Sequence, residues 1–245
     1  MKREEAMPLE AKLPPDHEFA ELIAEAYQVF ACEKPTDTGV CDCCMDRKIR
    51  KHFFDPDIEA MPLHYLQDWY FGDTGTEFTQ HTWRYLLPRV LEVLASGETL
   101  SGIGVEVSLK RFPTGVRENW KRNEWSVLDR FQRMYLHRAA IDKEDELDGV
   151  LCMFGIAGWP LASLFDQVLE MPPQILAERL WSDWCRFNTP GVWVGAFWSK
   201  KQEAEVYSFY RSRELLQRMS DLAFDPQTPP ELADKALAVA AVIEG

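Results

Sequence analysis

The sequence predicts an all-α protein of about ten helices, paired as antiparallel hairpins that stack on one another in an irregular superhelix or bundle. Three observations carry this. Apolar residues recur every three or four positions along most of the chain. Turns rich in proline, glycine or asparagine interrupt them at short intervals. And 13 glycines in 245 residues are too few for a protein built from many hairpin turns. No fixed period repeats, so a regular solenoid has no support in the sequence.

Residues 1–15 mix charges with Pro8, Pro14 and Pro15 and read as a flexible tail, leaving 16–245 as a single helical domain. Asp16 is placed to cap a first helix with Phe19, Leu22, Ile23, Ala26, Tyr27 and Phe30 on one face, ending near Cys32. A short basic helix runs to Phe54. Met61-Pro62 then opens a helix with Leu63, Leu66, Trp69 and Tyr70 inward, stopped by Gly72. From Thr76 to Ala95 the periodicity is strongest, although Pro88 predicts a kink or break at Leu87-Pro88, because proline removes a hydrogen bond and crowds the preceding turn. Ile103, Val105, Val107 and Leu109 alternate with polar residues as in a strand, but no second strand lies nearby to pair with. Helix is the reading adopted for that stretch.

Asn123 is expected to cap a helix to about Arg138, and Leu147–Ile156 is a short buried helix. Leu161, Leu164, Phe165, Val168 and Leu169 form the next stripe, and Pro172-Pro173 opens another with Leu176, Leu180, Trp181 and Trp184. A strong turn follows at Asn188-Thr189-Pro190-Gly191. Ser199 with Gln202 reads as a capping box, as does Thr228 with Glu231, each before a closing helix.

The composition is that of a folded, water-facing protein: 46% hydrophobic and 27% charged, with nine tryptophans and fourteen phenylalanines as core material. A net charge of −13 repels phosphate backbones, which argues against nucleic acid as a partner. No run reaches the ~20 apolar residues of a membrane helix, and the N-terminus lacks the apolar core of a signal peptide. The expectation is a cytoplasmic protein whose six cysteines are reduced thiols or metal ligands.

Chemistry, if present, concentrates between Gly39 and Phe54. Cys41, Cys43 and Cys44 fall within four residues, followed by Arg47, Lys48, Arg50, Lys51 and His52. Zinc takes four tetrahedral ligands from cysteine and histidine, and Cys32, Cys41, Cys43, Cys44 and His52 are the candidate set. The spacing is not that of a zinc finger, and adjacent Cys43 and Cys44 chelate one ion awkwardly. Two other readings stand beside zinc: small apolar side chains buried at a helix start, or thiols activated for redox work by a helix N-terminus and nearby cations. The basic run itself is most simply a solvated face. His17, His64, His81 and His137 are isolated, and the common nucleophile, phosphate-loop and zinc-protease signatures are absent.

A Cys-rich N-terminal segment, an aromatic-Leu-Leu-Pro-Arg-Val-Leu-Glu-Val-Leu run from Tyr85 to Leu94, Trp120, and Leu128 to Phe131 together resemble a family of uncharacterised bacterial helical proteins over residues 38–140. The resemblance implies helices and a bacterial cytoplasm, and brings no activity with it. The functional expectation is a non-enzymatic interaction or scaffold protein that binds another protein in a groove between helical hairpins. The alternative is a zinc-binding or thiol-redox protein centred on Cys41 to Cys44.

Overall fold

The computed structural model describes residues 11–40, 44–72, 80–142, 145–186 and 188–245. Among them the chain forms eleven α-helices, three single turns of 3-10 helix and no strand. None of these helices is long and apolar enough to cross a membrane. The chain divides into two compact units, Met1–Phe112 with Arg117–Phe131, and Pro113–Val116 with Gln132–Gly245.

The first unit contains α1 (Ala20–Val29), α2 (Arg47–His52), α3 (Leu63–Phe71), α4 (Gln80–Ala95) and the first half of α5 (Arg122–Ile141). α1 packs on α4, burying Leu22, Ile23 and Ala26 against it. α4 runs through Pro88 without breaking. Leu86, Leu87, Val90 and Leu91, on both sides of the proline, are completely buried. Burial of four such side chains, at about 2 kcal/mol each, outweighs the ~3 kcal/mol local cost of the proline. The predicted residues Thr76 to Thr79 lie outside the described region.

Three helix starts differ from expectation. α1 begins after Phe19 with no side-chain cap, so Asp16 is not the capping residue. At α5 the N-terminal amide of Lys121 is met by the Glu124 carboxylate at 2.8 Å, the back-reaching half of a capping box, and Asn123 lies already inside the helix. Before the last helix it is Pro229, without any side-chain bond, that precedes Pro230, so Thr228 forms no capping box. The Ser199–Gln202 box is present in full.

The stretch that alternated like a strand is neither strand nor α-helix. Val105–Val107 forms one 3-10 turn entered at Gly104, whose φ of 149° suits glycine. Two anchors fix it there. Tyr70 Oη donates to the Ser108 carbonyl at 2.5 Å. Arg111 donates to the carbonyls of Trp69 and Tyr70 at 2.9 and 3.1 Å, and to Gly72, closing the open end of α3 while lying over the Trp69 ring.

In the second unit lie α6 (Leu147–Ile156), α7 (Leu161–Glu170), α8 (Pro173–Trp184), α9 (Lys200–Tyr210), α10 (Arg213–Phe224) and α11 (Pro230–Glu244). α6 is buried from Leu147 to Gly155, and neighbours α7 and α8. Consecutive α10 and α11 pack as a hairpin, and α8 lies against both. α7 meets α9 through Phe165 stacked on Phe209, ring centres 4.1 Å apart. Residues 113–116 pass against the end of α6: the Gly115 amide donates to Ala157 at 2.9 Å. A Cβ on Gly115 would sit 2.1 Å from the Trp159 nitrogen and 2.4 Å from the Gly158 carbonyl carbon, both backbone. Gly115→Ala is therefore expected to lower stability by about 2 kcal/mol, read from denaturant midpoints, since backbone cannot step aside as a side-chain tip can.

Candidate functional site

The first unit carries an open recess of about 520 Å³ where the end of α1, the 3-10 turn Ile58–Ala60 and α4 converge. α1 stops at Val29, and the Phe30 amide closes its last turn onto Ala26 at 3.0 Å. The chain then leaves with Ala31, Cys32 and Lys34 on one wall, while Asp57, Ile58 and Glu59 form the opposite wall. α4 supplies Tyr85 and Pro88, three residues apart on one helical face. A second recess of about 310 Å³ shares Tyr27 and Glu59 with the first and continues past Lys12, Ile23 and Glu92.

The wall between the recesses is held by a buried polar cluster. Glu92 Oε2 accepts from Tyr27 Oη at 2.5 Å, from Arg89 Nη1 at 2.7 Å and from Lys12 Nζ at 3.1 Å. Arg89 is 1% exposed and also donates to the carbonyls of Met61 and Ala11 at 3.0 and 2.8 Å. It thereby holds Ala11, in the stretch read from sequence as tail, against α4. Burial, and then the Glu92 charge, drive the Tyr27 phenol far above its usual pKa, so this hydroxyl is a permanent donor.

Two groups lining the recess are left over. Tyr85 is 5% exposed and its hydroxyl has no hydrogen-bond partner among the described residues. Burial, and then the nearby Asp57 carboxylate, push its pKa up to about 12. A buried hydroxyl left unbonded is uncommon and costs about 1–3 kcal/mol relative to a satisfied one. The Glu59 carboxylate, at an exposed position shared by both recesses, has no ion pair among the described residues; Lys12 Nζ donates to the Glu59 carbonyl and pairs with Glu92, and Lys34 meets Asp57 at 3.2 Å.

The cysteines and histidine singled out in the sequence are placed as follows. Cys32 is half-buried in the recess, and burial raises its thiol pKa, with Arg84 acting against and Glu124 with that shift. It is a protonated thiol at neutral pH, not an activated one. Cys44 is exposed. Cys41 and Cys43 lie outside the described residues. The first amides of α2 are occupied by the Asp46 carboxylate, which accepts from Lys48 and Ile49 at 2.8 and 3.1 Å. His52 Nδ1 contacts Asp55 Oδ2 at 2.6 Å. Among the described residues no three histidine, cysteine or acidic side chains gather closely enough to hold a metal. The basic residues of α2 include no buried one, as a solvated face requires.

The second unit has a polar centre that sequence reasoning passed over. Asp148 on α6 is 6% exposed and accepts from the Gly195 amide at 2.6 Å, Trp198 Nε1 at 3.2 Å and Tyr210 Oη at 3.0 Å. Burial pushes its pKa up to about 6, against the pull of those three donors. Beside it, Asp183 accepts from the first amide of α6, Leu147, at 3.2 Å and from Arg179 Nε at 3.0 Å. All these groups are satisfied by one another, which marks a structural knot rather than a ligand site. An aspartate inside an apolar helix was the available signal in the sequence.

Compared with known proteins, the chain matches no protein-family model, no curated protein and no solved structure.

Proposed function

We propose that the protein is a non-enzymatic binding protein whose first unit takes a short polypeptide segment bearing a basic side chain across two neighbouring recesses. The observation that carries this is the recess itself, whose lining brings together Tyr85, with a buried hydroxyl that has no hydrogen-bond partner among the described residues, and the exposed, solvated carboxylate of Glu59. A backbone carbonyl of the segment would complete the hydrogen bonding of Tyr85. A lysine or arginine would meet Glu59, and the net charge of −13 would favour its approach. Apolar contact comes from Tyr27, Phe30, Ile58 and Pro88. The recess is open and mixed in character, which suits an extended chain better than a fully enclosed small molecule.

The test is selection from a displayed library of random peptides, followed by titration of the selected sequences. Enrichment of basic peptides is expected. Glu59→Lys should weaken their binding at least about tenfold, through charge reversal at the contact. Ala31→Trp, at an exposed lining position, should block the recess while leaving the thermal midpoint unchanged. Peptides that bind both variants as well as the parent protein would sink the reading.

A further inference from the structure

We infer that residues 191–195 in the second unit form an exposed edge that pairs, antiparallel and about a two-fold axis through Trp193, with the same segment of a second copy of this chain. The inference is independent of the recess, which lies in the other unit.

Residues 190–195 run with neither helix, turn nor bend. Neither Gly191 nor Gly195 has a positive φ, so the segment is free to be extended, the conformation the pairing takes. The segment is pinned at both ends: the Gly191 amide donates to the Trp184 carbonyl at 3.1 Å, and the Gly195 amide to Asp148 at 2.6 Å. The backbone groups of Val192, Trp193 and Val194 make no hydrogen bond within the described residues. A Cβ added to Gly191 would meet nothing within 4 Å, and Trp193 is 62% exposed.

The two pinned amides decide which edge is free. In an extended chain, successive backbone amides point to opposite sides, so Gly191 and Gly195, both turned inward, leave Val192 and Val194 facing out. Across a two-fold axis at Trp193, Val192 of one copy stands opposite Val194 of the other. An antiparallel hydrogen-bonded pair exchanges both N–H···O=C bonds, so the two such pairs use all the outward donors and acceptors. Trp193 then faces its own equivalent at the closer, non-hydrogen-bonded position, where cross-strand aromatic pairs gain most. The sequence Gly-Val-Trp-Val-Gly reads the same in both directions, so valine meets valine and glycine meets glycine. That matching in size favours self-pairing over an unrelated strand. A segment this short buries less than a standard interface, so the dimer is weak and concentration-dependent.

Sedimentation equilibrium on the full chain over a wide concentration range tests this. A monomer–dimer equilibrium is expected. Amide exchange followed by NMR should show Val192 and Val194 protected as dimer forms, with Trp193 unprotected. Trp193→Glu and Trp193→Lys should each be monomeric, because like charges then meet across the axis, and an equimolar mixture should dimerise again. Unchanged far-ultraviolet circular dichroism of each variant keeps folding out of the comparison. A protein that stays monomeric throughout, a dimer that survives Trp193→Glu, or a mixture that fails to associate would each overturn the inference.

Discussion

Arg89→Ala is expected to destabilise the protein by about 4 kcal/mol, the largest effect of any single substitution proposed. The guanidinium is 1% exposed and serves three acceptors at once: Met61, Ala11 and Glu92. Truncation leaves two carbonyls without their donor and strips the 6%-exposed Glu92 of its buried cation. Tyr27 and Lys12 still reach that carboxylate, but Lys12 approaches from an exposed position and screens it poorly. The cost thus comes from the charge left behind more than from the bond removed. The control follows from the same physics. An Arg89→Met, Glu92→Leu double variant removes both charges and should recover a large part of the loss in denaturant unfolding. If the double variant is as unstable as Arg89→Ala, the ion pair is not the cause. The recess would suffer too, since Glu92 is what holds the Tyr27 hydroxyl in the wall between the two recesses.

Asp148→Ala is expected to cost about 3 kcal/mol, because it orphans three donors for which Asp148 is the sole acceptor among the described residues: Gly195, Trp198 and Tyr210. The pH dependence gives a second, sharper readout. The native pKa of about 6 stands above the ordinary 3.8, so the native state binds this proton more tightly than the unfolded chain does. Its contribution to stability is complete below about pH 4 and is lost as the pH rises through about 6. The gap in unfolding free energy between the parent protein and Asp148→Ala should therefore widen on going from pH 7 to pH 5, by about 1 kcal/mol. A gap that narrows over that interval would mean the carboxylate is held below its ordinary pKa, the opposite of what burial dictates. The same variant frees one end of residues 191–195, so it should also weaken self-association at neutral pH.

The helices were readable where an apolar stripe and its punctuation agreed. Leu147–Ile156 is found with both ends as expected, Gly72 stops α3, and the Ser199–Gln202 box opens α9. Local signals failed where a distant partner decided. The break that Pro88 allowed does not occur: α4 continues past it, its leucines and valines on both sides completely buried. Ile103 to Leu109 alternates like a strand, yet the described residues include no strand to pair with it, and Tyr70 and Arg111 draw the chain into a turn. The site was less legible still. Tyr85 looked like one more stripe residue, and nothing in its neighbours along the chain says that its hydroxyl finds no partner among the described residues.

What the sequence alone determined is the class of the molecule: side chains repeating at the pitch of a helix can be buried only by packing rods together, so a helical protein follows from the pattern. Which polar groups are used and which are left over was decided only by the tertiary structure. Glu92 meets Tyr27 across 65 positions and Asp148 meets Gly195 across 47, so no local pattern in the sequence announces either bond. Periodicity encodes a face to be covered; it does not encode what will stand opposite.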